Sequence, residues 1–189
     1  MNQLKTNSKH FIIHNTLDIH NLLLNCCSSI NTTSSTTTAT NNNDMKSIDN
    51  SITSIIVRDG SNNDINYKVF DYSELNHIES IEIGDYCFGS VETFRIDRLN
   101  GLKSLKIGKN SFTLHKNSYG KDSSKSFHIL NCESLESIEI GEYSFSDFGG
   151  EFELKNLPQL QLLEIGTIGS KSYNFHDSSF VIRGIDMTE

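Results

Sequence analysis

The sequence predicts an all-β solenoid with two short strands per turn, parallel sheets, and few or no helices. Three observations support this fold class. One spacing of apolar residues recurs along most of the 189-residue chain, a second apolar pattern precedes each copy, and the distance between copies varies while the apolar positions stay fixed. Fixed inward positions joined by loops of variable length are typical of repeat solenoids.

The first predicted strand is clearest in residues 99–112, LNGLKSLKIGKNSF. Leu105 and Ile107 flank Lys106, and this alternation places two side chains on one face of a strand and one on the other. Related copies begin at Leu75, Cys132 and Leu157. The apolar positions of the best copy are Leu99, Leu102, Leu105, Ile107 and Phe112.

The second predicted strand precedes each copy, with an aromatic residue five positions and a large apolar residue three positions before the start. Copies starting at 75, 99, 132, 157 and 185 are 24, 33, 25 and 28 residues apart. Neither short strand can bury its apolar face alone, so stacked turns must share one core. The pairs are Phe70 and Tyr72, Phe94 and Ile96, Phe127 and Ile129, Phe152 and Leu154, and Phe180 and Ile182.

A glycine follows the first strand in each clear copy, at Gly84, Gly108, Gly141 and Gly166. This position predicts a bend where a Cβ would be crowded or where φ is positive.

The run L-x-x-L-x-I-x-x-N-x-F, from Leu102 to Phe112, resembles the leucine-rich repeat consensus, with Asn110 at its asparagine position. Other copies place Tyr86, Tyr143 and Ile168 there. The runs IGDYCF, IGKNSF and IGEYSF are similar to the BspA-like subclass of leucine-rich repeats. The resemblance covers roughly residues 48–185. It implies a leucine-rich-repeat-like solenoid and a role in protein interaction or adhesion.

Residues 1–30 admit two interpretations. Phe11 and Ile13 fit the second strand of a degenerate repeat that starts at Thr16, whereas Asn15 could instead cap a short helix from Thr16 to Cys27. Residues 31–47 are a low-complexity polar loop or linker that cannot bury enough apolar area to offset its ordering entropy. The solenoid proper is predicted to span residues 48–189, with Ile55 and Val57 in its first strand.

An insertion at residues 113–126 carries Lys116, Lys121 and Lys125. It is interpreted as a solvated loop, with a binding edge as the alternative. No polar capping segment follows the last repeat start, which predicts exposed edges and self-association through uncapped solenoid ends.

The outward strand positions form charged rows. We expect seven residues to form a mostly acidic surface with basic residues at its centre. Two interpretations stay open: a charge ladder between turns, or a binding surface for a protein partner whose own surface is basic. The candidate partner-binding residues are Glu82, Asp85, Lys106, Lys109, Glu139, Glu142 and Glu164.

The remaining chemistry points away from catalysis. No phosphate-binding glycine loop, nucleophile elbow or His-Glu-x-x-His motif occurs, so we expect no enzyme, no cofactor and no metal. His10, His14, His20, Cys26 and Cys27 do not match a zinc spacing.

The net charge of −8 argues against nucleic acid and anionic membranes as partners. Cys87 and Cys132 fall on repeat positions, which predicts buried thiols in a reducing, cytoplasmic setting without a signal peptide or membrane span. A non-catalytic interaction module is the expected function. The alternatives are a structural fragment of a larger repeat protein and, behind it, a metal-binding protein or hydrolase.

Overall fold

The computed structural model shows an all-β solenoid built from two parallel sheets. It describes residues 10–13, 53–61, 63–72, 76–114, 122–167 and 171–185, the first of these ranges as backbone only. No helix occurs in these ranges, and none of their segments is a helical membrane span.

The first sheet has the order β1-β2-β4-β6-β8-β10 and the second has β11-β9-β7-β5-β3. Consecutive strands therefore alternate between the sheets from β2 onward, which gives two strands per turn, as predicted. The first-sheet strands are β1 His10–Ile13, β2 Ser54–Val57, β4 Ser80–Ile83, β6 Ser104–Ile107, β8 Ser137–Ile140 and β10 Leu162–Ile165. The second-sheet strands are β3 Val69–Asp71, β5 Thr93–Asp97, β7 Ser126–Leu130, β9 Glu151–Lys155 and β11 Ser179–Arg183.

The register between turns follows the repeat. Leu105 pairs with Ile81 on one side and with Ile138 on the other, and Phe127 lies between Phe94 and Phe152. Equivalent positions of successive turns therefore lie side by side, and the inward ones are fully buried from β2 to β9. This placement confirms the predicted strand columns from Ile55 onward.

Two stacks of phenylalanine rings fill the core. In the stack on the second sheet, neighbouring ring centroids are 4.7 to 4.9 Å apart. In the stack that follows the first-sheet strands they are 4.6 to 5.0 Å apart. Rings of the two stacks meet edge to face, as Phe127 and Phe145 do at 5.0 Å. The stacks are Phe70, Phe94, Phe127 and Phe152, and Phe88, Phe112, Phe145 and Phe175.

The glycines after the first-sheet strands are explained mainly by crowding. A Cβ on Gly141 would lie 2.6 Å from the carbonyl carbon of Gly108, so the backbones of successive turns could not approach this closely. Gly166 also has a positive φ of +72°, the second reason for a glycine that the sequence analysis gave.

Two assignments were wrong. β1 pairs with β2, so Phe11 lies beside Ile55 in the first sheet rather than in the second-strand column. Tyr173, not Ile168, occupies the column of Tyr143, because the loop after Gly166 is longer than in the other turns and delays Phe175. Ile168, the alternative helix from Thr16 to Cys27, and the linker 31–47 lie outside the described residues.

Candidate interaction surface

The outer face of the first sheet carries one row of charged side chains. Strand alternation points them away from the core, since their neighbours along each strand, such as Ile81 and Ile83, are buried. Strand register then places Glu82 beside Lys106, Lys106 beside Glu139, and Glu139 beside Glu164. We call this set of four residues the outer row.

The outer row contains more acidic charge than its one lysine can balance. Glu82, Lys106 and Glu164 are exposed and Glu139 is half-buried. Among the described residues, Lys106 has no carboxylate within ion-pair distance. The lysine therefore offsets the repulsion between its neighbours only through space, at a separation that water screens. The row remains available to external charges.

The other three predicted residues follow the glycines at the ends of the first-sheet strands and have two different roles. They are Asp85, Lys109 and Glu142. Lys109 and Glu142 form an ion pair of 3.4 Å between turns, which is the predicted ladder contact. The lysine side chain is 56% exposed, so the pair contributes at most about 1 kcal/mol to stability.

Asp85 serves the backbone instead. Its carboxylate accepts a hydrogen bond from the Lys109 amide at 2.7 Å, and the Asp59 carboxylate accepts one from the Asp85 amide at 2.8 Å. These aspartates join successive turns just after strands β2, β4 and β6. Asp85 is therefore less suited to a partner than the outer row is.

A buried serine ladder fixes the corner beyond this row. The Ser111 hydroxyl accepts a hydrogen bond from the Cys87 amide at 3.0 Å and donates one to the Gly84 carbonyl at 2.8 Å. Ser144 repeats both contacts one turn later, with the Ser111 amide and the Gly108 carbonyl.

Cys87, which replaces serine in this column, is buried and free, as is Cys132. This confirms the prediction that both are buried. Burial raises the pKa of each thiol to about 11.

The corner just before this ladder has a backbone conformation that the sequence analysis did not foresee. Tyr86, Asn110, Tyr143 and Tyr173 have φ between 51° and 63°, in the left-handed region. Asparagine adopts this region more readily than tyrosine does. Asn110 therefore suits the corner conformation. A true asparagine ladder lies elsewhere, after the second-sheet strands, where Asn156 donates to Asn131 at 2.7 Å and Asn131 to Asp97 at 2.9 Å.

The sequence of the insertion predicted that Lys125 belongs to a solvated basic loop, but the Lys125 side chain is buried. Its ammonium group lies 2.8 Å from the Asp147 carboxylate, and both side chains are less than a tenth exposed. It also lies 5.6 Å from the centre of the Phe148 ring. The end of the insertion is thus anchored in the solenoid, while Lys116 and Lys121 lie outside the described residues.

The outer face of the second sheet has a different character. Arg95, His128 and Glu153 lie side by side on β5, β7 and β9. Arg95 binds Asp97 at 2.7 Å. Burial alone would raise the pKa of Asp97, but the hydrogen bonds from Asn131 and Arg95 and the nearby arginine charges lower it.

Glu151, two residues before Glu153, brings a third donor to this face. One donor atom each from His128, Glu151 and Glu153 lies within 4.8 Å of the others. The sequence analysis did not single out this cluster. Its signal was the placement of His128 and Glu153 in one outward column together with a second carboxylate at the i−2 position.

Comparison of the chain with protein-family models, with curated proteins and with solved structures gives no match. The functional argument therefore rests on the geometry of the two outer faces.

Proposed function

We propose that the chain is a non-catalytic protein-interaction module that binds a basic partner surface through the outer row. The observation that carries this proposal is the register of β4, β6, β8 and β10, which aligns three carboxylates and one lysine on a rigid sheet face. A repeated sheet offers many side chains at a spacing of about 4.8 Å, at little ordering cost on binding.

The charge balance supports a basic partner. Glu82 and Glu164 are exposed and form no ion pair with any described residue. A lysine or arginine from a partner would meet these carboxylates without first breaking an internal pair. The leucine-rich-repeat resemblance favours the same role, and the free Cys87 and Cys132 thiols fit the reducing, cytoplasmic setting that we expect.

The test is capture of partners from the native lysate, followed by purification of each captured protein and measurement of its affinity for the chain. The test variant combines Glu82→Lys with Glu164→Lys. The matched control combines Glu133→Lys with Glu136→Lys, because these exposed glutamates lie off the outer row and give the same change in net charge. Circular dichroism would first establish that all three proteins fold.

We expect saturable binding that weakens by about tenfold or more in the test variant, stays unchanged in the control, and weakens with added salt. Equal affinity of both variants for every captured protein would contradict a role for the outer row.

The end of the solenoid favours a second candidate function. In the last described turn, Leu163, Phe180 and Ile182 are 36%, 53% and 51% exposed, although their columns are apolar in every turn. We propose as the alternative that this turn associates with a second copy of the chain about a two-fold axis, through its exposed apolar side chains. Sedimentation velocity of the full chain should then show a dimer that Ile182→Glu dissociates. A monomer at all concentrations would exclude it.

A further inference from the structure

The outer face of the second sheet assembles the donor set of a metal site from two successive turns. His128 lies in the middle of β7 and pairs in register with Glu153 of β9. Glu151 lies two residues before Glu153 and therefore on the same face. Donor atoms of the three side chains all lie within 4.8 Å of one another.

The spacing of two of these donors already matches metal coordination. His128 Nδ1 lies 3.4 Å from Glu153 Oε2. Two ligands at about 2.0–2.1 Å from a tetrahedral zinc ion are separated by about 3.4 Å. Glu151 is exposed, so its side chain can rotate to supply a third ligand without moving the strand.

The polar atoms of the cluster lack other partners within the described part of the chain. His128 Nδ1 is buried and makes no hydrogen bond. Neither Glu151 nor Glu153 lies within ion-pair distance of a lysine or arginine among the described residues.

The neighbouring strands do not offer a cation either. Ser179 and Val181 of β11 lie opposite the two glutamates. On the other side, Arg95 lies opposite His128, but its guanidinium binds Asp97 at 2.7 Å. Lys155 lies on the same face of β9 but is not within ion-pair distance of either glutamate, so the two carboxylates form no ion pair with a lysine or arginine among the described residues.

We propose that His128, Glu151 and Glu153 bind one divalent metal ion of the zinc class. An imidazole nitrogen among the donors selects for zinc and similar transition metals over calcium and magnesium, which prefer oxygen ligands. Three protein ligands leave a fourth position for water. Because β7 and β9 belong to successive turns, the bound ion links them, and it does so on the sheet opposite the outer row.

The experiment is titration of the chelator-treated full chain with zinc chloride, followed by calorimetry, and with cobalt(II), followed by absorption. We expect one site whose visible cobalt bands indicate tetrahedral nitrogen and oxygen ligands. His128→Gln and Glu151→Gln should each weaken zinc affinity by about tenfold or more. Zinc should raise the thermal midpoint of the wild type by more than that of these variants.

Two control variants keep the test specific. His176→Gln removes a different histidine, which is exposed and lies 2.9 Å from Asp177, and should leave zinc affinity unchanged. His14→Gln tests the N-terminal histidines and cysteines. Glu151 is exposed, so Glu151→Gln gives an answer even if His128→Gln fails to fold.

The proposal is overturned if zinc binds the wild type and Glu151→Gln equally, or if only His14→Gln loses binding. A cobalt spectrum with strong thiolate charge-transfer bands, or zinc binding only at millimolar concentration, would overturn it as well.

Discussion

Phe127 and Phe180 occupy the same column of the repeat but differ in what surrounds them. Phe127 is fully buried, with stacked rings on both sides at 4.7 and 4.9 Å and the Phe145 edge across the core. Phe180 has Phe152 on one side at 4.6 Å and is 53% exposed. The same residue in the same strand position therefore contributes according to the number of turns stacked on it.

The comparison shows that burial in this fold belongs to the stack and not to the single repeat. A solenoid turn contacts only its neighbours, so the stability of each turn depends on both interfaces. Substitution of a core residue should therefore lower stability most in the interior turns and least in the last described turn. The predictions below order the expected effects from large to small.

The largest effect is expected for Phe127→Ala. Loss of a ring that is packed on three sides leaves a cavity and should cost about 3–5 kcal/mol in the free energy of unfolding. The matched variant Phe180→Ala should cost about 1 kcal/mol or less, since half of that side chain is in water. Urea denaturation of both variants measures the difference. Equal losses of stability would show that Phe127 and Phe180 are packed alike.

Asp147→Asn should cost about 3 kcal/mol, because it leaves the buried Lys125 ammonium without its counter-ion. This contact fixes the end of the insertion to an interior turn. The exposed pair Lys103 and Glu79, at 2.9 Å, provides the control. Glu79→Gln should lower the free energy of unfolding, measured by thermal unfolding, by about 1 kcal/mol or less, as is usual for a surface ion pair. If Asp147→Asn lowered the free energy of unfolding by no more than Glu79→Gln does, the Lys125 ammonium group would have to reach water.

Stability should fall as pH rises from about 9 to about 11. Burial raises the pKa of Cys132 to about 11, whereas the thiol in the unfolded chain ionises near its ordinary value of 9.0. The unfolded state therefore loses its proton first in this range and is favoured by rising pH. Urea midpoints over this range should fall less steeply for Cys132→Val than for the wild type. Parallel curves would indicate that the thiol ionises as readily in the folded chain.

The smallest effect concerns the corner conformation that recurs in interior turns and in the last one. Tyr86 has φ of 59° and Tyr173 has φ of 51°. Tyr86→Asn should be neutral or stabilise by up to about 1 kcal/mol, because asparagine enters the left-handed region more readily. The reverse change, Asn110→Tyr, should be slightly destabilising. Thermal unfolding of the two variants tests whether the backbone conformation of the corner or the tyrosine ring contributes more to stability.

Much of the fold could be predicted from the sequence, because a solenoid repeats one local pattern. Leu105 and Ile107 predict an inward strand face, and the same spacing elsewhere predicts its neighbours. The outer row follows from the same alternation. The columns of Phe11 and Tyr173 were not predictable in this way. Phe11 belongs to the same Phe-x-Ile pattern as the strands of the second sheet, although it lies in the first. Tyr173 follows a loop of unusual length.

The sequence by itself determined that the chain is an all-β repeat, which positions face inward, and which charges share a row. These properties depend on spacing along the chain. The tertiary structure decided that Lys125 is buried, that Asp85 binds backbone, and that Glu151 joins His128 and Glu153. These contacts join residues from different turns, so they depend on side-chain direction and strand register, which spacing alone does not encode.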